Sequence, residues 1–521
     1  QIGNSAFRDS GLESIAIPSS VSVIKDDAFN GCHDLQDVQL PDGLNFMGSK
    51  AFSSCSKLRT VILPNGLKSI PCYLFDDCKN LVSVFIPQSV SQIDYSAFTG
   101  CKRLKSIEVS SDNKHFISLD GVLFNAYLEL LFVPHALLEG AYKIPDGTKS
   151  IVKEAFKECQ SLTSVLIPST VTAIGEGAFK FCENLRSINI PTGVKIISKN
   201  MFSGCENLTN ISIPDTVIKM DDAAFYGCEN LKSISIPSGV TYIGREVFKN
   251  CENLSSIELP SQLQSISEDT FWGCTSLESV VIPSTVQTIA ANAFYYCENL
   301  TSVKIPEGVE SIGESAFENC EKLKEIELPS TLISIGERMF SDCKSLQTIV
   351  LSENNKSFEV IDGAIYDKDE RLITVAPGSV SGKFIIQEGT KYINENAFKN
   401  CKRIKSIEMP NSVLSIGESA FSGCNNLESI TLSQNIRVLS WNLFNECHAL
   451  TSISIPEGVT SIEDYAFDDC SSLCSITIPS TVTSLTEDHL SDATTWPQFT
   501  FTVRTNHISQ SMEFYSQRTW N

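Results

Sequence analysis

Histidine is scarce in this chain, with six residues in 521, and the six do not cluster. No G-x-S-x-G, H-E-x-x-H, P-loop or dinucleotide fingerprint occurs. Paired acids such as Asp26-Asp27 and Asp221-Asp222 stand among other polar residues, so nothing converges on a reacting atom. The chain therefore offers no catalytic residue, no cofactor site and no metal site, and an enzyme is not expected. Basic charge is also short: 40 Lys and Arg face 62 Asp and Glu, for a net charge of −22. Without a basic stripe to neutralise phosphates, nucleic acid is excluded as the expected partner. No run of eighteen or more apolar residues exists, so membrane insertion of the visible chain is not expected.

Cysteine, by contrast, is plentiful and regular. Seventeen of nineteen fall on one ruler: Cys32 to Cys101, Cys159 to Cys343 and Cys401 to Cys470 each step by 23 residues. A fixed period of that length marks stacked supersecondary units, each burying its apolar side only against its neighbours. The expected fold class is a repeat solenoid, a β-rich right-handed coil. It has one continuous parallel β-sheet, with short helical turns and extended segments on the return side. Function is then to be sought on a long surface rather than in a pocket.

Aligned on the cysteine, the unit reads L-x-S-I-x-I-P-x-x-V-x-x-I-G-x-x-A-F-x-x-C-x-N/S. In Leu185-Arg186-Ser187-Ile188-Asn189-Ile190-Pro191 the first, fourth and sixth places face inward, as a short strand allows. Proline follows the strand in fifteen of eighteen units, removing a ladder donor and ending the strand. Phenylalanine holds one return-side place eighteen times, from Phe7 to Phe467, which predicts a stacked aromatic spine. The A-F-x-x-C stretch is expected to form one turn of helix.

The cysteines are expected to be free, buried thiols packing as small hydrophobes. Equivalent Cβ atoms of stacked strands lie about 4.8 Å apart, whereas a disulfide wants roughly 3.8 Å. Zinc needs ligands converging from a loop, and these are spread one per coil. Cys72 and Cys474 lie off the ruler, and Cys474 is the expected reactive thiol.

Each gap in the ruler, Cys101 to Cys159 and Cys343 to Cys401, is 58 residues, or 23 plus 35. The two gaps match: Asn113-Lys114-His115-Phe116 with Asn355-Lys356-Ser357-Phe358, and Asp120-Gly121-Val122-Leu123-Phe124 with Asp362-Gly363-Ala364-Ile365-Tyr366. Asp-Gly between apolar runs signals a hairpin. Each gap therefore predicts a 35-residue coil, at about 110–144 and 352–386, carrying a small β-meander that protrudes. Such outgrowths are often where repeat proteins place binding residues, and a role in setting curvature is the alternative. His115 and His135 share the first long coil but are replaced by Ser357 and Pro377 in the second, which argues against a metal pair. One solenoid is expected over residues 1–501, beginning halfway through a repeat, with 502–521 as a C-terminal cap. Trp496, Phe499 and Phe501 take the Leu, Ile and Ile places of the last strand. A solenoid end needs a cap, so an N-terminal extension is expected, with any signal peptide in it.

The string Ile167 to Leu185, I-P-x-x-V-x-x-I-G-x-x-A-F-x-x-C-x-x-L, closely resembles the BspA-like, Treponema pallidum-type leucine-rich repeat. The resemblance covers about residues 1 to 495. It implies a secreted or cell-surface protein engaged in adhesion, binding a host-matrix or cell-surface protein or glycan. It carries over neither catalytic residues nor a binding motif. The alternatives are a structural spacer displaying another domain, or a targeting module of a larger enzyme.

The third and fifth strand places face outward. The third is Ser or Thr in fifteen of eighteen repeats, an exposed hydroxyl ladder, while the fifth varies and is where specificity is expected. Ile62 and Phe85 are adjacent there, with Val82 beside them, and such a contiguous apolar patch is expected either to mark an interface or to be covered by the nearby first long coil. Leu166, Val281 and Val350 recur along the row, and Glu108, Glu258, Glu327 and Glu408 share it, favouring a basic or calcium-bridged partner weakly. The candidate ligand-binding residues are therefore Ile62, Val82, Phe85, Glu108 and Leu166, with Phe116, Phe124, Phe358 and Tyr366 from the long coils. A monomer is expected.

Overall fold

In the computed structural model, residues 1–138, 140–483, 500–504 and 509–513 are described. The chain is a parallel β-solenoid with almost no helix, in two compact units, Gln1–Tyr242 and Ile243–Asn521. In each unit the short strands pair in parallel at the 23-residue offset. Ser14–Ala16 lies beside Asp37–Gln39, and Thr60–Ile62, Ser83–Ile86 and Ser106–Val109 lie side by side. In the second unit Ser256–Glu258, Ser279–Val281, Ser302–Lys304, Glu325–Leu328 and Thr348–Leu351 do the same. Burial alternates along each strand, as in Thr60–Ile62, where only Val61 is buried. That is the expected consequence of side chains pointing alternately to the two faces.

The return side is more ordered than the sequence suggested. Two-residue strands such as Val23–Ile24 and Phe46–Met47, or Ser265–Ile266 and Thr288–Ile289, pair in parallel as a second ladder. A third set of inter-coil bonds runs through the A-F-x-x-C stretch, which is not the helical turn expected. Around Cys205, the amides of Asn200, Phe202 and Gly204 donate to Asp222, Ala224 and Tyr226 of the next coil, at 3.0, 2.8 and 2.7 Å. The intervening amides of Ser203 and Cys205 close local turns on Asn200 and Phe202. The physical reason is backbone conformation: Asn200 and Gly204 are left-handed, at φ +55° and +72°, so alternate peptides point along the stack. The same two places, five and one before the cysteine, are left-handed at Asp27 and Gly31 and at Asn292 and Tyr296. A regular coil is thus tied to the next by backbone hydrogen bonds on its strand side, its return side and its turn side.

The phenylalanine spine stands as expected. Phe7 and Phe29 stack at 5.0 Å with planes 5° apart, and Phe294 and Phe317 at 5.2 Å and 5°. The seventeen ruler cysteines are free and buried, Cys72 is half-buried and Cys474 exposed. They are more than filler, however. Cys55 Sγ donates to the carbonyl of Phe29, Cys78 Sγ to Phe52 and Cys205 Sγ to Phe179, at 3.0–3.2 Å, each reaching back one coil.

The long coils carry the expected meanders, with the second and third strands of each largely buried. Phe116–Leu119 and Val122–Asn125 form the antiparallel hairpin, with Asp120 and Gly121 both left-handed, as the two-residue turn requires. Phe358–Ile361 and Ala364–Asp367 repeat it around Asp362-Gly363. The third strand, Glu129–Phe132 or Arg371–Val375, then pairs in parallel with the return-side ladder. Three consecutive residues are buried in Val122–Asn125 and four in Arg371–Val375, so both strand faces are covered. These strands are too apolar to stand in water on both faces, and they are covered. The hairpin tip takes the place of a sheet strand: Ile107 N donates to Gly121 O at 2.9 Å. The sheet ending at Ser106–Val109 and the one starting at Gly140–Lys143 are accordingly separate, so the expected continuous sheet is divided here.

At the C-terminal end, Thr500–Arg504 pairs in parallel with Ser475–Pro479 and antiparallel with Ser509–Glu513. Phe501 lies opposite Ile476, the fourth place rather than the sixth, and the strand runs across the boundary expected at 501. Trp496 and Phe499 lie outside the described residues.

Candidate functional site

Short parallel strands that bury their fourth and sixth places leave the third and fifth side by side on an outer face. On that face Ile62, Phe85 and Glu108 stand opposite one another on consecutive strands. Ile62 is 75% exposed and Phe85 37%. Val82, just before the same strand as Phe85, is half-buried. The structure therefore places three of the expected binding residues, Ile62, Phe85 and Glu108, in register as an apolar pair with an acidic end. Beside it, Thr60 and Ser83 form part of the hydroxyl row.

Beyond the first long coil the face continues with Lys143 opposite Leu166, which is 54% exposed. Asp120, at the hairpin tip, is exposed between these two sheets, since Ile107 on one side holds the tip in the strand's slot. At the next strand Asn189 closes the face in a different way. Its amide accepts from Ile167 N at 2.8 Å and donates to Ile167 O at 2.9 Å, mimicking a strand.

Three long-coil candidates are corrected. Phe116, Phe124 and Tyr366 are buried, at 8%, 0% and 3% exposure, and Phe358 is half-buried. They fill the interior of the extra coil, where apolar burial is worth more than a contact surface would be. Tyr366 shows it: burial pushes its hydroxyl up to about 12, and its oxygen accepts from Gln387 N at 3.4 Å. Two of the acids that share the row are paired within it. Glu327 pairs with Lys304 at 2.6 Å and Glu408 with Lys383 at 2.5 Å, whereas Glu108 carries no such pairing partner in its strand neighbour Phe85.

The histidines also have structural settings. Nδ1 of His33 meets Ser54 O, and Nδ1 of His448 meets Asp469 O, both at 2.9 Å. His135 stacks on Phe132 at 6.2 Å, and burial holds its imidazole below the usual range. Among the described residues no group of three or more His, Cys, Asp or Glu could hold a metal ion. Likewise none of their helices is long and apolar enough to cross a membrane.

Sequence reasoning missed the side chains that bind coil to coil. Asn113 Nδ2 donates to Pro87 O and Val90 O, at 2.8 and 3.0 Å, while its oxygen accepts from His115 N and Phe116 N. Asn355 makes the equivalent bonds to Pro329, Leu332, Ser357 and Phe358. The signal was present, since both asparagines occupy the same place in the two matching long coils. A second asparagine row, two residues past the cysteine, donates to the preceding coil, from Asn80 to Ser56 O and from Asn207 to Glu183 O. The side-chain amides of Asn207 and Asn355 are thus engaged.

Comparison with known proteins agrees with this architecture. The family described as BspA type leucine rich repeat region, in six copies, matches residues 1–120, 141–255, 241–362 and 382–518. Among solved structures the chain is similar to a leucine rich cell surface protein of Faecalibacterium prausnitzii. Identity is 30%, over 75% of this chain and 94% of that one, with a TM-score of 0.48. It is similar also to a leucine-rich repeat protein of Bacteroides ovatus, at 26% identity over 75% and 98%, with a TM-score of 0.47. The T. pallidum leucine rich repeat protein is 27% identical over 40% and 79%, with a TM-score of 0.23. No curated protein matches the chain. With the family matched along most of its length and its repeat seen coil by coil, the chain belongs to the BspA-type leucine-rich repeat family.

Proposed function

We propose that this protein is a secreted or cell-surface adhesion protein, binding a protein or glycan of the host matrix or of another cell through the outer face of its strands. The observation that carries the reading is the pair Ile62 and Phe85, exposed on consecutive strands with Glu108 at their edge. Water gains nothing from two large apolar side chains held in register, whereas a partner that covers them recovers about 25 cal/mol per Å² of apolar surface. The family resemblance and the cell-surface description of the Faecalibacterium relative support the location. A scaffold in which His33 and His448 meet carbonyls of the next coil and Asp269 pairs with a lysine of the preceding one supports binding rather than catalysis. Burial of Phe116, Phe124 and Tyr366 moves the proposed contact from the long coils to the sheet face.

An array of matrix proteins and glycans probed with the wild-type protein, Ile62→Asp and Phe85→Asp tests this. Binding that both variants reduce at least tenfold, with thermal unfolding unchanged, supports the face. Unchanged affinity removes the patch, and an array with no ligand at all leaves the spacer or targeting-module reading in its place.

A further inference from the structure

The two long coils break the sheet at matching places but close the break differently. In the first, Gly121 O at the hairpin tip accepts from Ile107 N of the neighbouring strand. In the second, Gly363 O is taken by Ala376 N at 2.8 Å, and the amide of Ile349, the counterpart of Ile107, has no acceptor among the described residues. Sequence explains the difference. Ala136 N and Gly378 N donate alike to Leu104 O and Leu346 O, which aligns Ala376 with Pro134 two residues earlier. Proline has no N–H to give, so Gly121 O stays free for the strand. The tips lean accordingly: a Cβ on Gly121 would lie 3.1 Å from Lys105 O, whereas one on Gly363 would lie 2.9 Å from Ser379 Cβ.

The second break is therefore left with two unpaired strand edges, both within the Ile243–Asn521 unit. Thr348–Leu351 is the last strand of its sheet, and Gly382–Ile385 is the first of the next. Backbone groups point alternately to the two sides of a strand, and Ile386 N donates to Glu408 O on the paired side. The amides of Lys383 and Ile385 thus point into the break, where no described residue accepts them. Apolar side chains mark both rims: Val350 is 43% exposed on one edge strand and Ile385 59% on the other. The corresponding residues in the first coil are charged, Glu108 and Lys143.

We propose that the second break is a docking slot for an extended segment of a partner protein, which enters as the missing strand between Thr348–Leu351 and Gly382–Ile385. Two free edges select an extended backbone, because that conformation offers donors and acceptors to both walls. Val350 and Ile385 select an apolar side chain between them. Asp362, exposed at the tip, and the net charge of −22 favour a basic residue in the same segment. The slot belongs to the other compact unit from Ile62 and Phe85 and does not depend on the adhesion reading.

Calorimetric titration of the whole protein with the peptide acetyl-LKSIVIP-amide, the repeat's own strand with a basic second and an apolar fifth place, tests the slot. The expected result is saturable binding, with slowed hydrogen exchange at the Ile349, Lys383 and Ile385 amides. Affinity should fall about tenfold or more when the peptide's Ser and Val amides are N-methylated. It should fall as far with Ile385→Pro, which removes one donor at a place an edge strand tolerates. Ile62→Asp should leave it unchanged. Val350→Asp serves if Ile385→Pro unfolds. Equal affinity of the N-methylated peptide would mean apolar contact without strand pairing and would overturn the proposal, as would no saturable binding or unchanged exchange at the three amides.

Discussion

Asn113 stands at the entrance to the first long coil with both ends of its amide in use, donating to two carbonyls of the preceding coil and accepting from two amides of its own. Removing the side chain takes a partner from Val90 O and from the Phe116 amide, both of buried residues, while Pro87 O keeps the Val90 amide at 3.3 Å. Asn113→Ala is therefore expected to lower stability by about 2–4 kcal/mol. Asn113→Asp keeps the acceptor but loses the donor, and should fall between the two in chemical denaturation. An alanine variant as stable as the wild type would show that water replaces the amide. The same residue scale separates the cysteines: a thiol is small enough for the interior and still donates to a phenylalanine carbonyl one coil back, a role that spacing alone does not reveal.

At the scale of the element, the hairpin tip is the sensitive point of each long coil. Gly121 has φ +81°, and a Cβ there would lie 3.1 Å from Lys105 O and from Ser106 Cβ. Gly121→Val combines left-handed strain with a clash against the neighbouring strand. It is expected to cost about 2–4 kcal/mol and to loosen the Ile107-to-Gly121 bond, read as faster amide exchange at Ile107. Unchanged exchange would mean that the tip does not bind the strand in solution. The hairpin itself was legible, since Asp-Gly between apolar runs admits little else. Its position inside the stack was not, because burial on both strand faces depends on which coils lie above and below.

For the whole molecule, the thiol ladder makes a prediction about alkaline pH. Burial pushes Cys424 and Cys470 up from an ordinary 9.0 to about 12, and raises Cys205, Cys274 and Cys297 as well. A folded-state value above the unfolded one gives stability that is fully present below about 9 and is lost as pH rises toward 12. Each such thiol contributes about 1.4 kcal/mol per pH unit in that window. Several acting together should make unfolding above pH 9 steep, with denaturation midpoints falling far faster than one group allows. The companion measurement is thiol labelling at pH 8: one or two residues in the native protein, led by exposed Cys474, and nearly all nineteen after denaturation. A shallow alkaline limb, or rapid native labelling of the ladder, would contradict the burial.

The period, the inward places of the strand, the aromatic spine and the two 35-residue coils follow from sequence alone, because each repeat meets the same neighbours and must repeat the same burial. The exposure of Ile62 and Phe85 follows for the same reason, from strand alternation. Tertiary structure decided the rest. Left-handed residues as unlike as Asn200 and Tyr296 turn alternate amides toward the next coil, so the A-F-x-x-C stretch becomes a hydrogen-bonded ladder instead of a helix. Phe116, Phe124 and Tyr366 look like surface anchors in an extended insert but are enclosed when the hairpin tip occupies a strand's slot. The aromatic cluster at Trp272, Tyr295 and Tyr296 arises from residues 23 and 24 apart that only stacking brings together. Local pattern sets what a coil is made of, while contacts between coils set which of its side chains remain free to meet a partner.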